Sequence, residues 1–170
     1  MSHPLDLKSF VTDVPDFPIK GVIFRDISPL LENLEAFSQA LNGLVEGVDL
    51  ANVDAFVGIE SRGFILAAAL ASKFNKGFIP LRKAGKLPPP VKSESYALEY
   101  GTATLEMKSG QGRVVVVDDV LATGGTLQAG LSLCEKCGYE VEAVTVLINL
   151  KFLNQMTYKE KPVISVLDYV

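Results

Sequence analysis

The chain has 170 residues, 48% of them hydrophobic, which suits one compact domain able to bury about 70% of its unfolded surface. A net charge of -4 argues against nucleic acid, whose binding needs a concentrated basic face, so any anionic substrate must be met by a local cluster of Lys and Arg. No basic and apolar leader pattern opens the chain, and no apolar run approaches the roughly 20 residues of a membrane span. A soluble, cytoplasmic protein without membrane contact is expected.

The single histidine, His3, lies at the extreme N-terminus, so proton transfer falls to a carboxylate or to water. Residues 5–14 predict a short helix ended by Pro15 and Pro18. Residues 15–29 are turn-rich and carry Phe24 and Arg25 among apolar neighbours, which composition alone reads as an edge strand with a core Phe. Leu34, Phe37, Leu41, Leu44, Val45 and Val48 recur at helical spacing, predicting an amphipathic helix over 34–48 with its leucines in the core. Residues 54–59 predict a strand, Glu60-Ser61-Arg62-Gly63 a turn, and 64–74 an apolar helix. Arg62 near that helix start is placed either to bind an anion or to form a surface salt bridge.

A third strand is predicted at 77–81, followed at once by Arg82, Lys83 and Lys86. From 83 to 95 the chain is rich in Pro, Lys and Ser without periodicity, a loop long enough to be a lid. Glu99 is, by itself, one surface acid among many, and 102–107 predicts a strand. Further on come a helix over 127–137 and apolar strands at 141–147 and 163–167. Cys134 and Cys137 have C-x-x-C spacing near the end of a helix, with no second pair to complete a metal site. They read as reduced thiols, one of them core-facing.

The segment 114–126 organises the rest. Four consecutive valines predict a strand buried on both faces of a parallel sheet, and in open α/β folds the ligand lies beyond the carboxyl ends of such strands. There Asp118 and Asp119 arrive, then Val120-Leu121-Ala122-Thr123-Gly124-Gly125-Thr126, and then a helix. Gly124 and Gly125 allow close backbone approach, while Thr123 and Thr126 add hydroxyls beside the amides of a helix N-terminus, which suits a phosphate. The two aspartates would repel that phosphate, so they are better suited to accept hydrogen bonds from sugar hydroxyls or to help hold a hard divalent cation. Strands alternating with helices predict a doubly wound, mostly parallel α/β sheet of about five strands.

The run of apolar strand, acid pair, spacer and Thr-Gly-Gly-Thr resembles the phosphoribosyl pyrophosphate (PRPP) motif of type I phosphoribosyltransferases. Three further stretches are similar to the adenine branch of that family: Pro15-Asp16-Phe17-Pro18 with 21–29, Arg82-Lys83-Ala84-Gly85-Lys86-Leu87-Pro88, and Tyr96-Ala97-Leu98-Glu99-Tyr100-Gly101. The resemblance covers residues from about 15 to 149 and departs from relatives at Pro89 and Val91, where they tend to have Gly and Thr. It implies a single domain over 1–170, with a hood at about 1–33 and a lid at about 83–101.

The activity implied is transfer of phosphoribose from PRPP to adenine, giving AMP and pyrophosphate with Mg²⁺ present, in purine salvage. Carried over residue by residue, Asp118 and Asp119 take the ribose hydroxyls, and Ala122, Thr123, Gly124, Gly125 and Thr126 take the 5′-phosphate. Glu60, Ser61, Arg62, Arg82, Lys83, Lys86 and Tyr100 complete the PRPP and AMP site, with Arg62, Arg82, Lys83 and Lys86 neutralising the departing pyrophosphate and Arg62 and Lys83 counted with Glu99 as catalytic. Ile23, Phe24 and Arg25 read adenine, Val120 packs on its other face, and Glu99 exchanges a proton with a ring nitrogen. Mg²⁺ is implied to be held mainly by PRPP oxygens and water, with Asp118 or Asp119 as the protein carboxylates at hand. A homodimer is implied as well. Two other readings stay open: a 6-oxopurine transferase, disfavoured by the hood and Glu99, and a non-catalytic PRPP or nucleotide sensor on the same fold.

Overall fold

The structure is a computed structural model that describes residues 4–98 and 101–170. Its chain falls into two compact units, Met1–Gly43 and Leu44–Val170.

In the first unit the predicted helix over 5–14 is instead one 3-10 turn, Leu7–Phe10, followed by strand β1, Thr12–Pro15. The alternation of apolar and polar residues there has the period of a strand, and β-branched Val11, Thr12 and Val14 favour extended backbone. Strand β2, Ile23–Asp26, pairs antiparallel with β1, setting Arg25 opposite Asp13 and Phe24 opposite Val14. The turn between them is closed by Gly21 N–H donating to Asp16 at 2.7 Å. Helix α1 is Ser28–Glu32, and α2 runs Leu34–Leu44 behind Asn33, whose side chain caps Ala36 N–H at 2.9 Å. Helix α2 stops short of the expected 34–48 because Gly47, at φ 76°, turns the chain into the left-handed region. Its core face is Ala36, Ala40, Leu41 and Leu44, whereas Leu34, in the first turn, is 82% exposed and not a core residue.

The second unit is built on a seven-stranded sheet. Its strands are β3 (Ala55–Ile59), β4 (Gly77–Lys83), β5 (Lys92–Ala97), β6 (Thr102–Met107), β7 (Gly112–Leu121), β8 (Tyr139–Leu150) and β11 (Ile164–Tyr169), in the order β11-β8-β7-β3-β4-β6-β5. The first five in that order are parallel, and β6 and β5 join antiparallel at one edge. The expected five-stranded parallel sheet is therefore present, extended by a hairpin. A minor pair, β9 (Thr157–Tyr158) and β10 (Lys161–Pro162), precedes β11.

Helices α3 (Arg62–Phe74) and α4 (Gly125–Lys136) lie on opposite faces, as double winding requires. Along β3 successive side chains point to opposite faces: Gly58 meets Ala67 of α3, while Ile59 meets Gly130 of α4. The α4 face packs Val57, Ile59, Leu81, Val114, Val116 and Val146 against Leu127, Leu131 and Cys134. Both cysteines are buried free thiols, so the core takes the pair rather than one. Burial pushes the Cys134 thiol up to about 12, which keeps it protonated and inert.

The two ends of the predicted long loop are strand. β5 begins at Lys92, leaving 84–91 as the connection, and it pairs with β6 from Lys92↔Met107 to Ala97↔Thr102. Its half-buried residues are Glu94 and Tyr96, and Glu94 ion-pairs with Lys136 at the end of α4. Among the described residues no helix is long and apolar enough to cross a membrane.

Candidate active site

The site in the second unit lies at the carboxyl edge of β3, β4 and β7. Val114, Val115, Val116 and Val117 are fully buried, so β7 is a fixed platform that delivers Asp118 and Asp119 to the edge with 8% exposure each. Asp119 N–H donates to Asp118 Oδ1 at 2.9 Å. Burial, reinforced by the neighbouring Asp119 charge, pushes the Asp118 carboxyl well above its ordinary value. Asp119 is instead compensated: Arg62 Nε lies 2.5 Å from its Oδ2.

That ion pair depends on Gly63. A Cβ there would stand 2.9 Å from Val117 O and 3.0 Å from Asp118 Oδ1, so only glycine lets the start of α3 come this close to β7.

Beyond the acids the chain turns through 122–124 into α4. Gly124 has φ 94° and precedes the helix without a side-chain cap, which leaves the first-turn amides of α4 available to an anion. A cavity of about 90 Å³ lies against this turn, lined by Asp118 and the run from Val120 to Leu127. The loop is braced from two sides. Asn154 Nδ2 donates to Ala122 O at 2.9 Å, and Met156 Sδ would stand 3.2 Å from a Cβ on Gly124. Thr126 Oγ1 donates to Tyr96 Oη at 3.4 Å, tying the loop to β5.

The basic residues meet at the ends of β3 and β4. The Glu60 carboxylate accepts from Arg82 Nη2 at 3.0 Å and from Lys83 N–H at 2.7 Å. Burial raises the Glu60 carboxyl, but the bonds from Arg82 and Lys83 N–H outweigh it and hold it below its ordinary value. Arg82 also lies 5.7 Å from the Phe64 ring and donates from Nη1 to Lys86 O at 3.4 Å. The Glu60-Ser61 peptide is cis, and Ser61 precedes α3 without a side-chain cap. Glu60, Ser61, Arg62, Arg82, Lys83, Asp118, Asp119 and the 122–126 loop thus gather along one sheet edge.

Among the described residues no three His, Cys, Asp or Glu side chains converge to hold a metal ion. The acid pair at the end of β7 is the carboxylate set that a cation arriving with a polyphosphate would meet.

A profile described as "Phosphoribosyl transferase domain" matches residues 30–168. An adenine phosphoribosyltransferase of Bdellovibrio bacteriovorus is 62% identical over 165 residues, covering 97% of this chain and all of the relative. The chain belongs to the adenine phosphoribosyltransferase family. Among solved structures, the adenine phosphoribosyltransferase of Rhodothermus marinus superposes with a TM-score of 0.88 at 44% identity, covering 96% of each chain. The Saccharomyces cerevisiae enzyme, solved with an imino-altritol bisphosphate and adenine, superposes with a TM-score of 0.87 at 32% identity, covering 95% of this chain and 97% of that one.

The residues that the phosphoribosyltransferase resemblance assigns to adenine divide between the units. In the first, Ile23, Phe24 and Arg25 form most of β2; the Phe24 ring meets Phe17 edge-on at 5.2 Å, and Arg25 ion-pairs with Asp13 across the hairpin. In the second, Val120 is half-buried near the end of β7, paired with Ile148. Glu99 and Tyr100 lie outside the described residues. Asn154 and Tyr96 are the residues that sequence reasoning missed. Tyr96 opens the Tyr96-Ala97-Leu98-Glu99-Tyr100-Gly101 stretch, whereas Asn154 lies in an irregular turn after β8 with no spacing signal to reveal it.

Proposed function

We propose that the chain is a pentosyltransferase that joins adenine to PRPP, forming AMP and pyrophosphate in purine salvage. The observation that carries this is the buried acid pair near the end of β7, followed through the short 122–124 turn by an uncapped helix N-terminus, a combination suited to a ribose bearing a 5′-phosphate. The base is assigned by the similarity to adenine phosphoribosyltransferases.

The 5′-phosphate sits on the amides and hydroxyls of 122–126, anchoring the substrate away from the reacting carbon. Asp118 and Asp119 accept from the ribose hydroxyls and stabilise positive charge as it builds on C1′. Arg62, Arg82, Lys83 and Lys86 neutralise the pyrophosphate, which leaves with the C1′–O electron pair while adenine N9 forms the new bond. Ile23, Phe24 and Arg25 hold adenine, whose amino donor and ring-nitrogen acceptor complement a main-chain carbonyl and amide; a 6-oxopurine mismatches both. Glu99 receives the proton released by the ring. Asp118 or Asp119 would be the protein carboxylates at hand for Mg²⁺ arriving with PRPP, which would supply further neutralisation of the pyrophosphate. The enzyme works as a cytoplasmic homodimer, supported by the family resemblance; sedimentation at assay concentration checks the dimer.

The test is AMP formation by purified protein with PRPP, Mg²⁺ and each of adenine, hypoxanthine, guanine and xanthine. Product from adenine alone is expected, with Glu99→Gln slower by about 100-fold, the scale of a general acid–base group. Tight PRPP binding without product from any base would leave the sensor reading instead.

A further inference from the structure

A loop that points its N–H groups at an anion turns its carbonyls outward, and each outward carbonyl needs a donor elsewhere. Ala122 opens the phosphate loop, and its carbonyl is met by Asn154 Nδ2 at 2.9 Å. The same amide nitrogen lies 3.0 Å from Leu150 O and 3.1 Å from Asn149 Oδ1, both at the end of β8. On its other side Asn154 Oδ1 accepts from Met156 N–H at 3.1 Å, and Met156 is the residue whose sulfur backs Gly124.

One side chain therefore ties the first carbonyl of the loop to a strand of the buried sheet and sets the residue packed behind its glycine. A carboxamide suits the position because it donates and accepts at once; a carboxylate would set oxygen against the two main-chain carbonyls and the Asn149 amide oxygen, and an alkyl chain would leave Ala122 O without this donor.

We propose that Asn154 is a positioning residue for the 5′-phosphate: it aims the 122–126 amides without touching the substrate. The inference rests on the reading of this loop as a phosphoribose site.

The experiment uses Asn154→Leu and Asn154→Ser in the full chain, with steady-state kinetics for both substrates, calorimetric titration of ribose 5-phosphate, and melting curves. KM for PRPP should rise about tenfold, the scale of one buried hydrogen bond, with kcat within about twofold and KM for adenine unchanged. Kd for ribose 5-phosphate should rise by the same factor. Parent-like values for both constants, or a fall in kcat and Tm with KM for PRPP and Kd unchanged, would overturn the proposal and leave Asn154 a structural brace. Asn154→Ser keeps a small polar residue in the turn, so the reading does not depend on how the leucine variant folds. The titration also separates this proposal from the reaction: parent protein that binds ribose 5-phosphate but forms no AMP refutes the transferase alone. Parent protein that does not bind it refutes both.

Discussion

The two ends of the proposed substrate edge are built in opposite ways. The β7 end presents backbone: a strand of fully buried valines, a helix N-terminus, and a loop braced by Asn154 and Met156. The β3 and β4 ends present side chains: Arg62 and Arg82, each held by a carboxylate, beside Lys83 and Lys86 on more exposed backbone. A group that stays bound throughout turnover is served by fixed amides, which lose no rotamer freedom when they engage it. A group that must leave is better met by side chains that exchange partners. Arg62 and Arg82 already have partners in Asp119 and Glu60, so they are oriented before substrate arrives and their charge is compensated until then.

The largest way to break this contrast is at Arg62. Arg62→Ala removes a cation from the proposed leaving-group side and strands Asp119, a mostly buried carboxylate. We expect kcat/KM for PRPP to fall by at least about 100-fold, with a lowered Tm, because losing one partner of a buried pair leaves the other uncompensated. Arg62→Lys separates the two effects: it keeps the charge but not the fork, so Tm should recover while activity stays low. Full activity in the lysine variant would show that charge alone suffices.

Glu60 sharpens the contrast with a smaller effect, because it acts only through Arg82 and the Lys83 amide. Glu60→Gln should reduce kcat/KM for PRPP by about tenfold, the scale of one charge-assisted bond, while adenine KM stays put. Its pH signature is specific. A carboxyl held below its ordinary value of 4.5 contributes stability that is present above that value and lost as pH falls through the lower folded one. The parent should therefore lose more stability than the glutamine variant on acidification below about pH 4.5. Superimposable melting curves across that range would remove Glu60 from its positioning role.

The contrast also explains what could be read from residues alone. The backbone-built end was legible because its parts are local: a valine run, an acid pair and a glycine pair within one short segment, each with a fixed conformational meaning. The parallel sheet followed from the same kind of periodicity. What escaped was non-local or disguised. β5 reads as loop because Lys92, Glu94 and Tyr96 reach across to α4 in place of forming an apolar face, and that partner lies some 40 residues away, as in the Lys92–Lys136 bond with a separation of 44. Residues 5–14 read as helix, whereas pairing with β2 makes strand of the stretch from Thr12. Asn154 acts on Ala122 across 32 residues, a relation without a periodic trace.

The least disruptive change bears on the rigid end itself. Asp118→Asn keeps the shape and the oxygen that accepts from Asp119 N–H, but removes a charge that burial disfavours. Because the folded carboxyl is raised above its ordinary value of 3.8, the native state holds a proton that the unfolded chain has released. Parent stability therefore falls as pH rises from that value through the raised one, and the full cost persists above it. Asp118→Asn should melt higher than the parent by a few degrees near neutral pH, at about 2–4 °C per kcal/mol for a chain of this size, with the advantage vanishing near pH 3.8. It should also bind ribose 5-phosphate more weakly, since the amide is a poorer acceptor for ribose hydroxyls. A variant that melts at or below the parent at neutral pH would mean that Asp118 is stabilised where it stands, and that the rigid end carries no stability cost for its function.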